Sequence, residues 1–389
     1  MSFKLAGLIA LLAAGQLSVR AAEPVRATVF TAGDEGRKLY RIPGIVVTKH
    51  GTILAYAEGR RKTGGDWDTI DIVLRRSTDG GATFSPMQVI GQIQGKIERN
   101  PVAIARKQGH PDDVTYNNPV AIADKNGAVH FLFCIEYMRV FYMRSDDDGK
   151  TFSTPVEITK SLEAFRATYD WRVVATGPGH GIQLKNGRLL VPIWTALGTQ
   201  GNGHGPSSAA TIYSDDHGKT WKCGEIAVPD TPEFSSPNET TAAQLADGRV
   251  MLNARAASAH NRRVIVIGPD GASSWSKARY QEDLPDPICA AGFLSMGQKK
   301  GSILLFSNPD NLARADGKDQ ISKDRENVTI RVSFDQGATW AVKRSIEPDR
   351  SGYSDLALLP NHEILCFYES AGKYLTLARF TLDWIKNGK

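Results

Sequence analysis

Cysteine is scarce in this chain, four in 389 residues, and no two form a Cys-x-x-Cys pair. That excludes paired-thiolate zinc knuckles and thioredoxin-like redox centres. Cys134, Cys223, Cys289 and Cys366 lie far apart; three connectivities are open to them, buried thiols are the alternative, and no disulfide is assigned. No His, Cys and Asp cluster has metal-ligand spacing, so no metal or cofactor is expected. Basic runs interleaved with aromatics are missing too, and 47 Lys and Arg against 42 Asp and Glu leave a formal charge of only +5. No nucleic-acid partner is expected from such a composition. Beyond the N-terminus no apolar run is long enough to span a bilayer. Nor is there an amphipathic helix of three turns, only a short helical tail near Leu382–Lys386.

What is present begins with Lys4, an apolar run over residues 5–14, and the small residues Ala21 and Ala22 before Glu23. A charged start, a short apolar core and a small-residue exit describe a secretory signal peptide, here residues 1–21; an uncleaved anchor is the alternative. The expected mature unit is residues 22–389, secreted or periplasmic. Losing Lys4 and Arg20 leaves 45 basic against 42 acidic residues, a formal +3 that suits an anionic ligand without requiring one.

A repeat sets the architecture. Ser-x-Asp-x-Gly-x-Thr-aromatic occurs at Ser77–Phe84, Ser145–Phe152, Ser214–Trp221 and Ser333–Trp340, with a degenerate copy ending in Asp270 and Trp275. The starts are 68, 69, 54 and 65 residues apart. Asp can accept from turn amides, Gly can take positive φ, and the aromatic can plug the turn from beneath. The aspartates Asp79, Asp147, Asp216 and Asp335 therefore read as turn formers rather than acids. Strand-like segments flank them at residues 70–75, 129–133, 188–193 and 328–332. The expected fold is all-β, a six-bladed β-propeller of four-stranded antiparallel blades. Five boxes mark five blades; strands after Tyr353, closed by an N-terminal strand near residues 26–31, supply the sixth. A propeller by itself says nothing of function.

Function must come from residues that break the repeat. Tyr40-Arg41-Ile42-Pro43, followed by several boxes, resembles the exo-sialidase family, and the resemblance runs over nearly all of the mature chain. It implies a substrate of sialylated glycans, whose sialic acid carries a carboxylate on the anomeric carbon. Guanidinium matches carboxylate geometry with paired hydrogen bonds. The resemblance implies three such groups: Arg41, Arg255 and Arg325, with Arg331 as rival for the third.

The same resemblance implies a tyrosine nucleophile, Tyr353, with Glu239 as its base. A neutral phenol escapes the repulsion that the substrate carboxylate would exert on an anionic nucleophile, but needs a base because its ordinary pKa is about 10. The acid/base lies on the loop of residues 58–71, where Asp66 fits the family's spacing, Asp68 is the runner-up and Asp71 falls in the following strand. Arg60 matches a basic residue placed near that Asp and the sugar. Asn118, ahead of Pro119, and Trp194 are further candidates for the substrate site, each with a plain packing role as the alternative. The glycines of residues 176–182 read as backbone-shaping. Sequons stand at Asn238 and Asn327, the first beside Glu239. One oddity has no account in the sequence: Asn-Pro-Val-Ala-Ile-Ala occurs at both Asn100 and Asn118. Hydrolysis with retention is expected. Transfer to another sugar, action on another 2-keto acid sugar, and a non-catalytic glycan-binding propeller are the alternatives, the last disfavoured by the joint presence of Arg41, Asp66, Glu239, Arg255, Arg325 and Tyr353.

Overall fold

The computed structural model describes residues 22–298 and 301–387; the expected signal peptide, residues 1–21, lies outside the described residues. The chain is all-β, with 48% strand and 6% helix, in a propeller-like arrangement. Four consecutive sheets each hold a set of four strands paired antiparallel in chain order; Gly179–His180 adds a parallel fifth strand to the second, and Ile182–Gln183 an antiparallel one to the third. The first holds Leu39–Val47, Ile53–Arg60, Ile70–Ser77 and Gln88–Ile90, and the second Tyr116–Ala123, Val129–Ile135, Arg139–Ser145 and Val156–Glu157. The third holds Val173–Thr176, Leu189–Gln200, Gly205–Ser214 and Lys222–Val228, and the fourth Thr240–Gln244, Val250–Ala254, Arg262–Gly268 and Arg279–Pro285.

A seven-stranded sheet completes the chain: Gly292–Gln298, Gly301–Pro309, Glu326–Ser333, Val342–Leu358, Ile364–Ser370, Tyr374–Phe380 and, from the other end, Val25–Thr31. The early half of the 17-residue strand Val342–Leu358 pairs with Glu326–Ser333 and the late half with Ile364–Ser370. The core lies between neighbouring sheets. Leu54 and Ile72 of the first meet Phe131 and Phe133 of the second in one apolar cluster. Packing on both faces explains why Ile53–Arg60 and Val129–Ile135 are buried at every residue.

The repeated boxes are hydrogen-bonded staples. In the second copy Asp147 Oδ1 accepts from Thr151 N at 2.9 Å and Ser145 Oγ at 2.8 Å, Oδ2 accepts from Thr151 Oγ1 at 2.7 Å, and Ser145 Oγ accepts from Gly149 N at 2.9 Å. Asp79, Asp216 and Asp335 repeat the pattern. Each box glycine leans on the preceding unit. A Cβ on Gly149 would meet Leu54 at 2.8 Å, on Gly218 Tyr142 at 2.3 Å, and on Gly337 Met251 at 2.8 Å. On Gly81 of the first sheet it would meet Leu377 of the last at 2.8 Å, so the contact runs round a closed ring.

The duplicated hexapeptide adopts two structures. At Asn100 it caps and forms the helix Pro101–Ala105, with Asn100 Oδ1 accepting from Val102 N at 2.8 Å. At Asn118 it continues the strand Tyr116–Ala123. The strand copy buries Val120, Ala121 and Ile122 between sheets, whereas the helical copy leaves Ile104 63% exposed. Tertiary pairing, not local propensity, decides between them.

Candidate active site

Three strands that carry candidate site residues break register beside them. Bulges fall between Arg41 and Gly44, between Asn117 and Val120, and between Ser351 and Ser354. A bulge re-aims side chains, here those of Arg41, Asn118 and Tyr353. At the first two the residue before a proline holds a left-handed backbone: Ile42 at φ 59° and Asn118 at φ 52°. For a β-branched Ile that costs on the order of 1–3 kcal/mol, which neighbouring packing must offset. Ile42 does so by burial against Cys289, Ala290 and Tyr353.

Tyr353 is 5% exposed, and its phenol donates to Glu239, with both carboxylate oxygens at 2.7 Å. Arg255 Nη1 donates to the phenol oxygen at 2.9 Å and also to Glu239. The guanidinium carbons of Arg41 and Arg325 lie 5.0 and 5.1 Å from the Tyr353 ring centre. Arg41, Arg255 and Arg325 thus converge on one phenol from three sheets or their loops. Burial and then the Glu239 charge push the phenol above its ordinary range, against the pull of the arginines, so it is neutral. Arg325 spends one donor on Ile288 O at 2.6 Å. The rival Arg331 is elsewhere, paired with Asp310 at 2.6 Å.

On the acid loop the three aspartates separate by partner. Asp68 is a loop staple: its Oδ2 accepts from the amides of Lys62, Thr63 and Gly64 at 3.2, 2.5 and 2.8 Å, and its Oδ1 from Thr69 N at 2.7 Å. Asp71 pairs with Arg37 and Arg61, each at 2.7 Å. Of the three, Asp66 is the one that faces Arg60 and Arg41, 2.9 Å from Arg60 Nη1 and 4.0 Å from Arg41 Nη1, with its side chain still 33% exposed. Burial would raise its carboxyl, but Arg60, His204 and Arg41 outweigh that and hold it well below the usual carboxylate range. The Arg60 side chain is 1% exposed and bonded to Glu58 at 2.7 Å, Gly64 O at 2.6 Å and Asp66. Its contact is with the acid loop rather than the open cavity.

Asn118 sits beside this group, its backbone N donating to Glu58 Oε1 at 2.9 Å. Asn100 bonds instead to Glu136, so of the two copies the Asn118 one adjoins the site. Trp194 is 3% exposed and one layer back, against Tyr137 and His204 at centroid distances of 6.1 and 5.3 Å. The sequon residue Asn238 uses its side chain internally, donating to Ser236 O and accepting from Glu239 N. All four cysteines are free. Among the described residues no group of His, Cys, Asp and Glu could hold a metal ion, and no helix is long and apolar enough to cross a membrane.

Residues the sequence did not single out complete the site. Glu369 accepts from Arg41 Nε at 3.1 Å, Ile42 N at 3.2 Å and Tyr353 N at 3.2 Å, joining the first arginine to the tyrosine strand. Cys289 is buried under Tyr353 as a neutral thiol, raised to about 12 by burial. Asn202 and His204 arrive from a hairpin of the third sheet. None has a motif.

The BNR repeat-like domain family matches residues 98–365. A sialidase of Micromonospora viridifaciens is 31% identical over 380 residues, covering 91% of this chain and 53% of the relative. A sialidase of Bacteroides fragilis is 29% identical, covering 91% of this chain and 64% of the relative. The chain therefore spans little more than half to under two thirds of the length of these relatives. Among solved structures, Hadza microbial sialidase Hz136 is similar with a TM-score of 0.75 at 27% identity, covering 92% of this chain and 69% of that one. On the strength of the family match, which spans more than half of its residues, the chain belongs to the BNR repeat-like domain family.

Proposed function

We propose that this chain is a retaining exo-α-sialidase that hydrolyses terminal sialic acid from glycans. The observation that carries the reading is a buried phenol bonded to a carboxylate and bordered by three guanidinium groups. Arg41, Arg255 and Arg325 grip the sugar carboxylate. Glu239 takes the phenol proton as Tyr353 Oη bonds to the anomeric carbon. Asp66 gives its proton to the leaving oxygen as the glycosidic bond breaks, then takes one from the water that opens the tyrosyl link. The arginines favour the ionised form of Asp66. A bound sugar carboxylate neutralises Arg41 and displaces water, and both changes favour the acid form. Asn118 borders the substrate pocket, Trp194 backs it from beneath through His204, and Arg60 orients Asp66.

The fold part of this reading takes the seven-stranded sheet as two blades that share Val342–Leu358, making six. Export through residues 1–21 is the remaining part; N-terminal sequencing of the mature protein that finds Met1 retained would refute it. The function is tested with a fluorogenic sialoside and 2,3-difluorosialic acid. Turnover by the wild type, near-complete loss in Tyr353→Phe, and a covalent adduct on the Tyr353 peptide are expected. An adduct on another residue removes Tyr353 from its role.

A further inference from the structure

Strands Leu189–Gln200 and Gly205–Ser214 form a hairpin whose tip, residues 198–204, leaves the third sheet and lands on the acid loop of the first. Asn202 Nδ2 donates to Asp66 Oδ2 at 3.1 Å, and Asn202 O accepts from Trp67 Nε1 at 2.7 Å. On the other side Arg106 donates to Gly198 O at 2.7 Å, to Gly201 O at 2.9 Å and to Thr199 O. The His204 ring lies among Trp67, Tyr137 and Trp194 at 5.4, 4.5 and 5.3 Å. Gly198, Gly201 and Gly203 hold φ of 77°, 57° and 95°, a path that side-chain-bearing residues rarely follow. The landing is a built contact between two sheets.

The oxygens of Asp66 are not equivalent. Oδ1 faces Arg60 at 2.9 Å and Arg41 at 4.0 Å, while the hydrogen bond to Oδ2 comes from Asn202. A proton avoids the oxygen held by guanidinium, so Oδ2 is the one that carries it. We propose that Asn202 is a positioning residue for the acid step, fixing the rotation of the Asp66 carboxyl so that Oδ2 presents its proton to the leaving oxygen. The inference rests on the sialidase reading above. In that step the Oδ2–H bond breaks and the leaving oxygen gains the proton as it parts from the anomeric carbon. The same Oδ2 later recovers a proton from water. An amide donates without titrating, so it keeps its orientation through both halves of the cycle.

A neutral donor on Oδ2 stabilises the carboxylate over the acid, so its removal raises the proton affinity of Asp66. The groups facing Asp66 are Arg41, Arg60, Glu58, Tyr137 and His204. Only His204 ordinarily titrates near neutrality, and burial pushes its imidazole down. The alkaline limb of the kcat profile, which reports the substrate complex, therefore tracks Asp66.

The test uses the full chain and two substrates, a galactose-linked sialoside and an aryl sialoside whose phenol departs without a proton. Asn202→Ala is expected to lower kcat/KM on the galactose-linked substrate by roughly tenfold or more while the aryl substrate stays within about threefold, because only the former needs the placed proton. The alkaline limb moves to higher pH, and further in Asn202→Asp, where a second carboxylate shares the proton. Equal losses on both substrates with an unmoved limb mean a purely structural hairpin and overturn the inference. Unchanged or faster turnover of the galactose-linked substrate overturns it as well. A wild type that cleaves neither substrate overturns the sialidase reading instead.

Discussion

Glu369→Gln keeps the shape of the side chain and removes one charge. The carboxylate takes Arg41 Nε at 3.1 Å and Ile42 N at 3.2 Å on Oε1, and Tyr353 N at 3.2 Å and Arg41 Nη2 at 3.5 Å on Oε2. Whichever way the new amide turns, its NH2 faces two donors. One hydrogen bond to a charged group is worth ~1.5–3 kcal/mol. The loss falls on the aim of Arg41 and on the backbone of the nucleophile, so about 2–3 kcal/mol of transition-state stabilisation goes, a fall in kcat/KM of about 30- to 160-fold. Steady-state hydrolysis of a fluorogenic sialoside measures it, with inhibition by free sialic acid as the binding readout. KM should rise and kcat fall together, since Arg41 grips the carboxylate before and during reaction. Burial would raise the Glu369 carboxyl, but Arg41 and Arg325 outweigh it and leave it lowered. A lowered carboxyl stabilises the fold fully above its ordinary value of about 4.3 and loses that contribution as pH falls through its depressed value, so the stability gap between wild type and variant closes on acidification. A folded variant with kcat/KM within about threefold of wild type would show that Glu369 does not position Arg41.

Three other outcomes follow from the same contacts. Asp68→Ala strips the acid loop of its staple and should cost about 2–4 kcal/mol in urea unfolding and slow turnover although Asp66 remains; unchanged stability would contradict the stapling role. Gly218→Ala places a Cβ 2.3 Å from Tyr142 Oη at φ 83°, and should destabilise by about 2–3 kcal/mol with kcat unaltered, read by denaturation alongside turnover. His180 Nδ1 lies 2.7 Å from Asp355 Oδ1; burial lowers the imidazole, Asp355 outweighs it, and the net shift is upward. A raised imidazole stabilises the fold below its ordinary value near 6.5 and stops doing so as pH rises through the folded value. The melting-temperature gap between wild type and His180→Gln should accordingly be widest in mild acid, and a pH-independent gap would refute the pairing.

Legibility in the sequence followed the distance over which partners meet. The box aspartates find all their donors within six residues, so their structural role is readable from spacing alone. Asp66 and Asp68 differ by two positions, and spacing ranks them without giving the reason. That reason is the turn, which folds three amides onto Asp68 and leaves Asp66 to Arg60. Glu369, Asn202 and His204 escaped notice because strand register and a hairpin tip, not sequence neighbours, carry them to the site. The two Asn-Pro-Val-Ala-Ile-Ala copies make the limit plain: six identical residues form a helix at Asn100 and a strand at Asn118.

The strand Val342–Leu358 crosses from one set of partners to the other with no loop between, and Tyr353 lies just past the crossing. Adding or deleting one residue there would turn the phenol to the opposite face and drag it from Glu239 and Glu369 together. Length variation that turns absorb elsewhere is barred along this stretch. The splint that carries the tyrosine is thereby held to constant length.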